Sequence, residues 1–419
     1  MTAPAYATRE PGLPAQILAI GLKLVQPRIA GRLSIHLPSG RCLDIGDRRI
    51  SQAAELHLRS WKTLWRSMRR SSVGFCESFM KGEWDSPAPE RVFAFYLQNR
   101  ESLDRAGRFW MRRSRAVRAW HLRRDNDRPG ARRNIEAHYD LGNDFYSLWL
   151  DATMTYSSGL FDPGIDDLES AQCAKYRLIA DALDLQPGHR MLEIGCGWGG
   201  FAKVAAERGA QVKAVTLSAE QLAYGRSRAT DRMSFELMDY RDVSGTYDRI
   251  ASIEMIEAVG ESHWSTYFRT LSERLAPGGV AAIQAITIDE KLFPAYRSHA
   301  DFIQRHIFPG GMLPTVDIIR QQAAARGLTF ETVRCFGRDY ARTLRLWRER
   351  FEKVSQQLGE LGFDETFRRK WRLYFCYCEA GFEHGAIDVG VYRLTKPGDG
   401  AASDQTQMTG RKDLKGTKK

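Results

Sequence analysis

At 419 residues, with 43% hydrophobic and 27% charged residues, the chain is long enough for two or three domains around a large core. No apolar run approaches the roughly 20 residues a spanning helix requires, and the formal charge of +11 favours a polyanionic partner, either nucleic acid or an anionic membrane surface. Seven scattered cysteines without metal-ligand spacing point to reduced thiols in a cytosolic protein, with no metal centre expected.

Taken in order, residues 1–12 read as a flexible leader. Residues 13–25, interrupted by Gln16 and Lys23, read as a short amphipathic helix rather than a secretory signal. Leu33-Ser34-Ile35-His36-Leu37 and Cys42-Leu43-Asp44-Ile45 alternate around Pro38-Ser39-Gly40, a hairpin signal. Helices are expected over 57–71, 75–80 and 89–103. Together these form a small α+β accessory domain, residues 1–105, without a cluster of catalytic residue types. Residues 106–133 follow as a basic linker or helix. The stretch 105–133 holds 11 arginines against Asp125 and Asp127, interleaved with Phe109, Trp110, Trp120 and Leu122. That composition suits an anionic lipid surface. Nucleic acid would use the same charges, and a solvated linker is the plainer alternative.

A catalytic domain is expected over 134–396. Its approach, Ala137-His138-Tyr139-Asp140-Leu141-Gly142-Asn143 and then Thr155-Tyr156-Ser157-Ser158, crowds aromatic and small polar residues without strand or helix period, as a pocket-lining loop does. A helix over 173–183 leads into Met191-Leu192-Glu193-Ile194-Gly195-Cys196-Gly197-Trp198-Gly199-Gly200, the strand, glycine turn and helix that open a doubly wound sheet. Such a turn serves dinucleotides and S-adenosylmethionine alike. A dinucleotide site wants a carboxylate about 20 residues on, where this chain has Val215 and Thr216. Asp239-Tyr240 ends a third apolar segment, 247–254 reads as a fourth strand, and Val280 begins a fifth. The fold class is therefore α/β, Rossmann-like. Residues 293–307 form a helical insertion, read as a lid or as a plain surface helix pair. A long helix is expected over 341–361 and a strand pair over 385–394; Cys376-Tyr377-Cys378 alternates like a strand. The tail 397–419 is polar and lysine-rich, the composition of a disordered segment.

These motifs, with Thr216-Leu217-Ser218, Ile307-Phe308-Pro309-Gly310-Gly311 and Phe336-Gly337-Arg338-Asp339-Tyr340, resemble in kind and order those of the cyclopropane-fatty-acid synthases. The resemblance is dense over 134–394 and looser before it. It implies a class I methyltransferase fold acting on unsaturated acyl chains of membrane phospholipids with S-adenosylmethionine. The cofactor pocket would comprise Tyr156, Ser157, Glu193, Gly195, Gly197, Gly199, Thr216, Leu217, Gln221, Asp239 and Tyr240. The resemblance also implies a bound bicarbonate that deprotonates a carbocation, held by Glu257, Tyr340, Gln284, Ser158 and the backbone of Ile286. Ser158 and Gln284 depart from the family's cysteine and histidine, and Gln284 cannot shuttle a proton. Tyr340, Tyr139 and Phe302 offer aromatic faces to a cation.

Cyclopropane formation is the leading expectation. A methyl- or methylene-branched product is the near alternative, and an RNA methyltransferase or a noncatalytic lipid-surface protein are the distant ones. A cytoplasmic protein on the inner face of the membrane, possibly a homodimer, completes the expectation.

Overall fold

The structure is a computed structural model, and it describes residues 29–47, 49–51, 53–107, 126–131 and 141–398. The leader, the 13–25 segment, most of the basic stretch, His138, Tyr139 and nearly all of the tail lie outside the described residues. The chain divides into two compact units, Met1–Arg115 with Gly362–His384, and Ala116–Leu361 with Gly385–Lys419.

In the first unit, β1 (Arg32–His36) and β2 (Cys42–Gly46) form the antiparallel hairpin that the alternation predicts. β3 (Ala54–Leu58) runs parallel to β1, and the sheet order is β2-β1-β3-β4, with β4 at Trp84–Asp85. His57, expected to begin a helix, is therefore in a strand. Ala54, Leu56 and Leu58 are buried while Glu55 and His57 alternate with them, a period of two. α1 (Lys62–Met80) joins two expected helices across a break at Ser71, whose φ is 55°. α2 (Pro89–Gln98) and α3 (Arg100–Gly107) follow.

The helix Glu365–Glu383 also packs in this unit, against α1 and α2, although the sequence placed it in the catalytic domain. Asp364 caps it by accepting the Phe367 N–H at 2.7 Å. Trp371, Tyr374, Phe375 and Phe382 are buried at helical spacing, so the alternation at Cys376-Tyr377-Cys378 is incidental. Arg369 locks the helix in place: its guanidinium stacks on Phe79 at 4.1 Å and bonds the Phe79 and Trp84 carbonyls.

In the second unit, α4 (Asn143–Ser147) and α5 (Leu168–Ala182) lead into β5 (Arg190–Ile194). The alternation continues through α6 (Gly200–Glu207), β6 (Gln211–Thr216), α7 (Ala219–Ser227), β7 (Met233–Leu237), β8 (Tyr247–Ile253), α8 (Trp264–Arg274) and β9 (Leu275–Ile288). Then come α9 (Phe293–Ser298), α10 (Phe302–His306), α11 (Val316–Ala324), β10 (Thr329–Cys335), α12 (Gly337–Lys353), α13 (Ser355–Glu360) and β11 (Ile387–Thr395).

The seven strands take the order β10-β11-β9-β8-β5-β6-β7, with β11 antiparallel to both neighbours. Residues 385–394 thus supply one strand rather than a pair. Its edge partner β10 went unforeseen because its residues are mostly exposed and show no apolar run. Strand order reverses at β5, between β8 and β6, so the ligand crevice of such a sheet lies beyond the carboxyl ends of β5, β6 and β8. Leu192, Ile250, Ala281 and Ile283 from the central strands are fully buried, which fixes those ends rigidly.

Candidate active site

The glycine loop after β5 turns as its sequence requires. Gly195, Gly197 and Gly199 have φ of 76°, 53° and 85°, values that residues with a Cβ rarely adopt. A Cβ on Gly199 would stand 2.8 Å from the Phe235 ring, whereas one on Gly197 would meet open space. Glu193 precedes the loop, 2% exposed; burial pushes its carboxyl up to about 8, opposed by the Lys175 charge. Its Oε2 is buried with no hydrogen-bond partner among the described residues.

Around the loop, Thr216 at the end of β6 donates to Gln221 Oε1 at 2.9 Å, and Ser218 caps α7. Leu217 between them is half-buried. Asp239 is held by a two-pronged bond from Arg241, at 2.8 and 2.6 Å. Burial of Asp239 would raise its pKa, but the Arg241 bonds and charge win and hold it low. Tyr240 is 9% exposed and packs edge-on against Tyr267, so its ring is part of the core wall. Ser157 accepts a hydrogen bond from Lys175 Nζ at 2.7 Å, and Tyr156 packs among Tyr146, Trp149 and Trp347.

Three of the five groups expected to hold bicarbonate, Ser158, Gln284 and Tyr340, converge, and they do so on a residue that the sequence marks only as the end of a strand. Glu254 follows β8 with φ 50°, left-handed for a non-glycine residue. Its Oε1 accepts the Ser158 N–H at 2.9 Å and Gln284 Nε2 at 2.7 Å. Its Oε2 accepts the Tyr340 hydroxyl at 2.6 Å. Gln284 is placed by register, opposite Ile253 in β9, and its carbonyl accepts the Glu254 N–H at 2.8 Å. Tyr340 rises from the first turn of α12, whose Gly337 N–H bonds Asp388 at 2.8 Å. Thr343, one turn further, accepts the Gly159 N–H and so ties α12 to the Ser158 loop.

Glu257 is not in that convergence. It accepts the Ile286 N–H, so both groups expected at the bicarbonate are engaged with each other. Its other oxygen, Oε2, is buried without a partner among the described residues. Burial first, and the nearby Glu254 charge second, push the Glu257 carboxyl up to about 8. Glu254 is raised by burial as well, against bonds from Tyr340, Ser158 and Gln284 and the charge of Lys175. Lys175, fully buried, is lowered by burial to about 7. The insertion closes on this site through the Met312 N–H, which donates to the Glu257 carbonyl at 2.8 Å; Gln304 braces it by donating to the Gly311 carbonyl. Phe302 is buried beside His306 on the same insertion.

Glu254 and Lys175 are the functional candidates that sequence reasoning missed. The available signal was the pattern Glu254-x-x-Glu257 at the carboxyl end of a central strand, where either acid can face the crevice.

A seven-stranded sheet with this order and glycine loop defines a class I S-adenosylmethionine-dependent methyltransferase. The profile of the mycolic acid cyclopropane synthetase family matches residues 126–392, and the chain belongs to that family. It is 39% identical to a tuberculostearic acid methyltransferase of Mycobacterium tuberculosis, over 92% of this chain and 94% of that one. It is 33% identical to the cyclopropane-fatty-acyl-phospholipid synthase of Escherichia coli K12, over 82% and 88%. Among solved structures, mycolic acid cyclopropane synthase CmaA1 complexed with SAH and CTAB superposes with a TM-score of 0.58 at 29% identity, over 63% of this chain and 98% of that one. The protein is thus an S-adenosylmethionine-dependent enzyme that methylates or cyclopropanates lipid acyl chains.

Proposed function

We propose that the enzyme methylates the double bond of an unsaturated phospholipid acyl chain and releases a methylene-branched chain. The observation that carries this reading is the buried set Glu254, Ser158, Gln284 and Tyr340, which differs from the cyclopropane synthase pattern at two of the positions carrying its anion. The similarity to the tuberculostearic acid methyltransferase along nearly the whole of both chains favours the branched product. A cyclopropane product is the second reading, favoured by the Escherichia coli relative and the shared Glu257 and Tyr340.

The cofactor fits the residues present: an open face at Gly197, the unpartnered Glu193 Oε2 and the Thr216–Gln221 pair all lie at the strand ends where it would sit. Gly195, Gly197, Gly199, Glu193, Thr216, Leu217, Gln221 and Asp239 would hold it, with Tyr156 and Ser157 closing one side and the Tyr240 backbone another. Bound S-adenosylmethionine supplies an electrophilic methyl carbon. Tyr156, Trp149, Trp347 and Tyr340 exclude water and present aromatic faces to a developing cation on the acyl chain. A hydride shift from the methylated carbon to its cationic neighbour, followed by proton loss from the transferred methyl, restores a double bond without any oxidant or reductant, which is why the branch is written as methylene.

We further infer that an anionic lipid surface is the partner. α1 presents Trp65 at 55% and Met68 at 52% exposure beside Lys62, Arg66, Arg69 and Arg70, with the Arg69 guanidinium 4.4 Å over the Trp65 ring. No described helix is long and apolar enough to cross a membrane, so contact with lipid would be made from such a surface.

Expression in an unsaturated-lipid host fed methyl-deuterated methionine tests the product. The expected result is a one-carbon gain with two deuteriums and a chain that ozone cleaves at the branch to a ketone. A labelled, ozone-inert chain with two deuteriums means a cyclopropane, one with three means a saturated methyl branch, and the absence of labelled lipid overturns the acyl reading.

A further inference from the structure

We propose that Glu254 replaces the bicarbonate and is itself the catalytic base, so that this enzyme works without bound bicarbonate. The inference rests on the acyl-methylation reading and extends it to the proton acceptor.

Three donors are arranged for a planar anion: the Ser158 N–H, Gln284 Nε2 and the Tyr340 hydroxyl. All three end on the two oxygens of one carboxylate, at 2.9, 2.7 and 2.6 Å. A carboxylate and a bicarbonate carry the same charge and the same planar pair of acceptor oxygens. With the donors spent on Glu254, a second anion would have to sit against Glu254 and Glu257 with no hydrogen bond from that set. A Glu254 carboxylate would repel a second anion held beside it inside the protein. The expected bicarbonate therefore does not fit.

The chain also strains to put Glu254 there. A left-handed φ of 50° on a residue with a Cβ is costly and persists where surrounding contacts over-determine it. Here four bonds do so, the three donors to its carboxylate and its own N–H to the Gln284 carbonyl. The charged and titratable groups facing Glu254 are Lys175, Tyr340 and Glu257, with Glu193 and Asp151 behind Lys175. The Lys175 charge favours the ionised form of Glu254 against the effect of burial.

The step balances. As the alkene π pair forms a bond to the incoming methyl carbon, the carbon–sulfur bond breaks and its pair stays on sulfur. The acyl chain is left with a carbocation. A hydride then shifts from the carbon bearing the new methyl to the cationic carbon, which moves the positive charge to the branch point. Glu254 takes a proton from the transferred methyl, and that C–H pair becomes the methylene double bond. The proton then passes from Glu254 to solvent, and the carboxylate is restored.

The test compares wild type, Glu254→Gln and Glu254→Gly in carbon-dioxide-scrubbed buffer and in the same buffer with bicarbonate. S-adenosylhomocysteine release is followed with oleoyl phospholipid vesicles. Glycine accepts the local φ without strain, and S-adenosylhomocysteine binding by calorimetry reports that each variant is folded. Binding of carbon-13 bicarbonate, followed by line broadening, provides a readout that needs no lipid.

The wild-type rate is expected to be unchanged by scrubbing, Glu254→Gln to lose roughly 100-fold, as a lost general base does, and bicarbonate to broaden with Glu254→Gly but not with wild type. A wild-type rate that collapses on scrubbing and returns with bicarbonate overturns the proposal. So does bicarbonate broadening by wild type, or a Glu254→Gln variant within threefold of the wild-type rate. If no lipid is methylated by wild type in either buffer, the acyl reading falls, while the bicarbonate-binding arm still decides what fills the anion site.

Discussion

Two carboxylates three residues apart have different work because their surroundings differ. Among the described residues, Glu254 has three donors and a nearby cation, while Glu257 has one backbone donor and an oxygen without a partner. Tyr340→Phe removes one bond to a charged acceptor, worth about 1.5–3 kcal/mol. It is expected to lower kcat roughly 10- to 100-fold at neutral pH. Losing a bond that favours the ionised form also raises the Glu254 pKa, so the acid limb of the pH–rate profile should move to higher pH. A profile that drops uniformly without moving would show that Tyr340 serves only packing.

The Glu257 carboxyl makes a separate prediction for stability. Its folded pKa, about 8, lies above the ordinary 4.5. Folding therefore favours its protonated form, and that contribution, intact below pH 4.5, is lost as pH rises through about 8. Glu257→Gln should flatten the fall in melting temperature between those limits, measured by calorimetry at a series of pH values. An unchanged slope would place the titration elsewhere, with Glu193 the next candidate because it is raised into the same window.

At the level of elements, the site is an agreement between strand ends and one helix. β8 delivers Glu254, β9 delivers Gln284 one register step away, and α12 delivers Tyr340. The start of α12 is fixed by close packing: a Cβ on Gly337 would lie 2.5 Å from Asp388 Oδ1 and 3.3 Å from its Cα. Gly337→Ala should cost about 1–3 kcal/mol as an overpacked contact and reduce kcat more than the affinity for S-adenosylhomocysteine, because α12 carries Tyr340 and the cofactor loop lies elsewhere. Equal losses in both would mean that the strain spreads through the sheet. The helix Glu365–Glu383 illustrates the opposite case, an element whose aromatic face serves the first unit rather than the catalytic sheet.

At the scale of the whole molecule, the excess of positive charge is the property that a lipid-modifying enzyme can use. The α1 surface pairs two apolar side chains with cations, the arrangement of an interfacial helix. Trp65→Ala with Arg69→Gln should weaken co-sedimentation with anionic vesicles severalfold at low salt and leave turnover of detergent-dispersed lipid unchanged. Undiminished vesicle binding would remove α1 as the docking surface and return attention to the basic residues 105–133.

The sequence by itself determined the catalytic sheet and its cofactor loop. Glycines at 195, 197 and 199, the apolar runs before them and the absence of an acid at 216 are local signals, each set by backbone sterics or burial. The resemblance to the cyclopropane synthases also implied one site for Ser158, Gln284 and Tyr340, together with Glu257 and Ile286. What they hold was decided only by tertiary structure. Glu254 and Glu257 lie in one short segment, and no local rule says which carboxylate meets donors arriving from 96, 30 and 86 residues away. The left-handed turn at Glu254, the register of β9 and the start of α12 settle that choice. The buried Lys175 is legible only there for the same reason: its charge matters because of what long-range packing puts beside it.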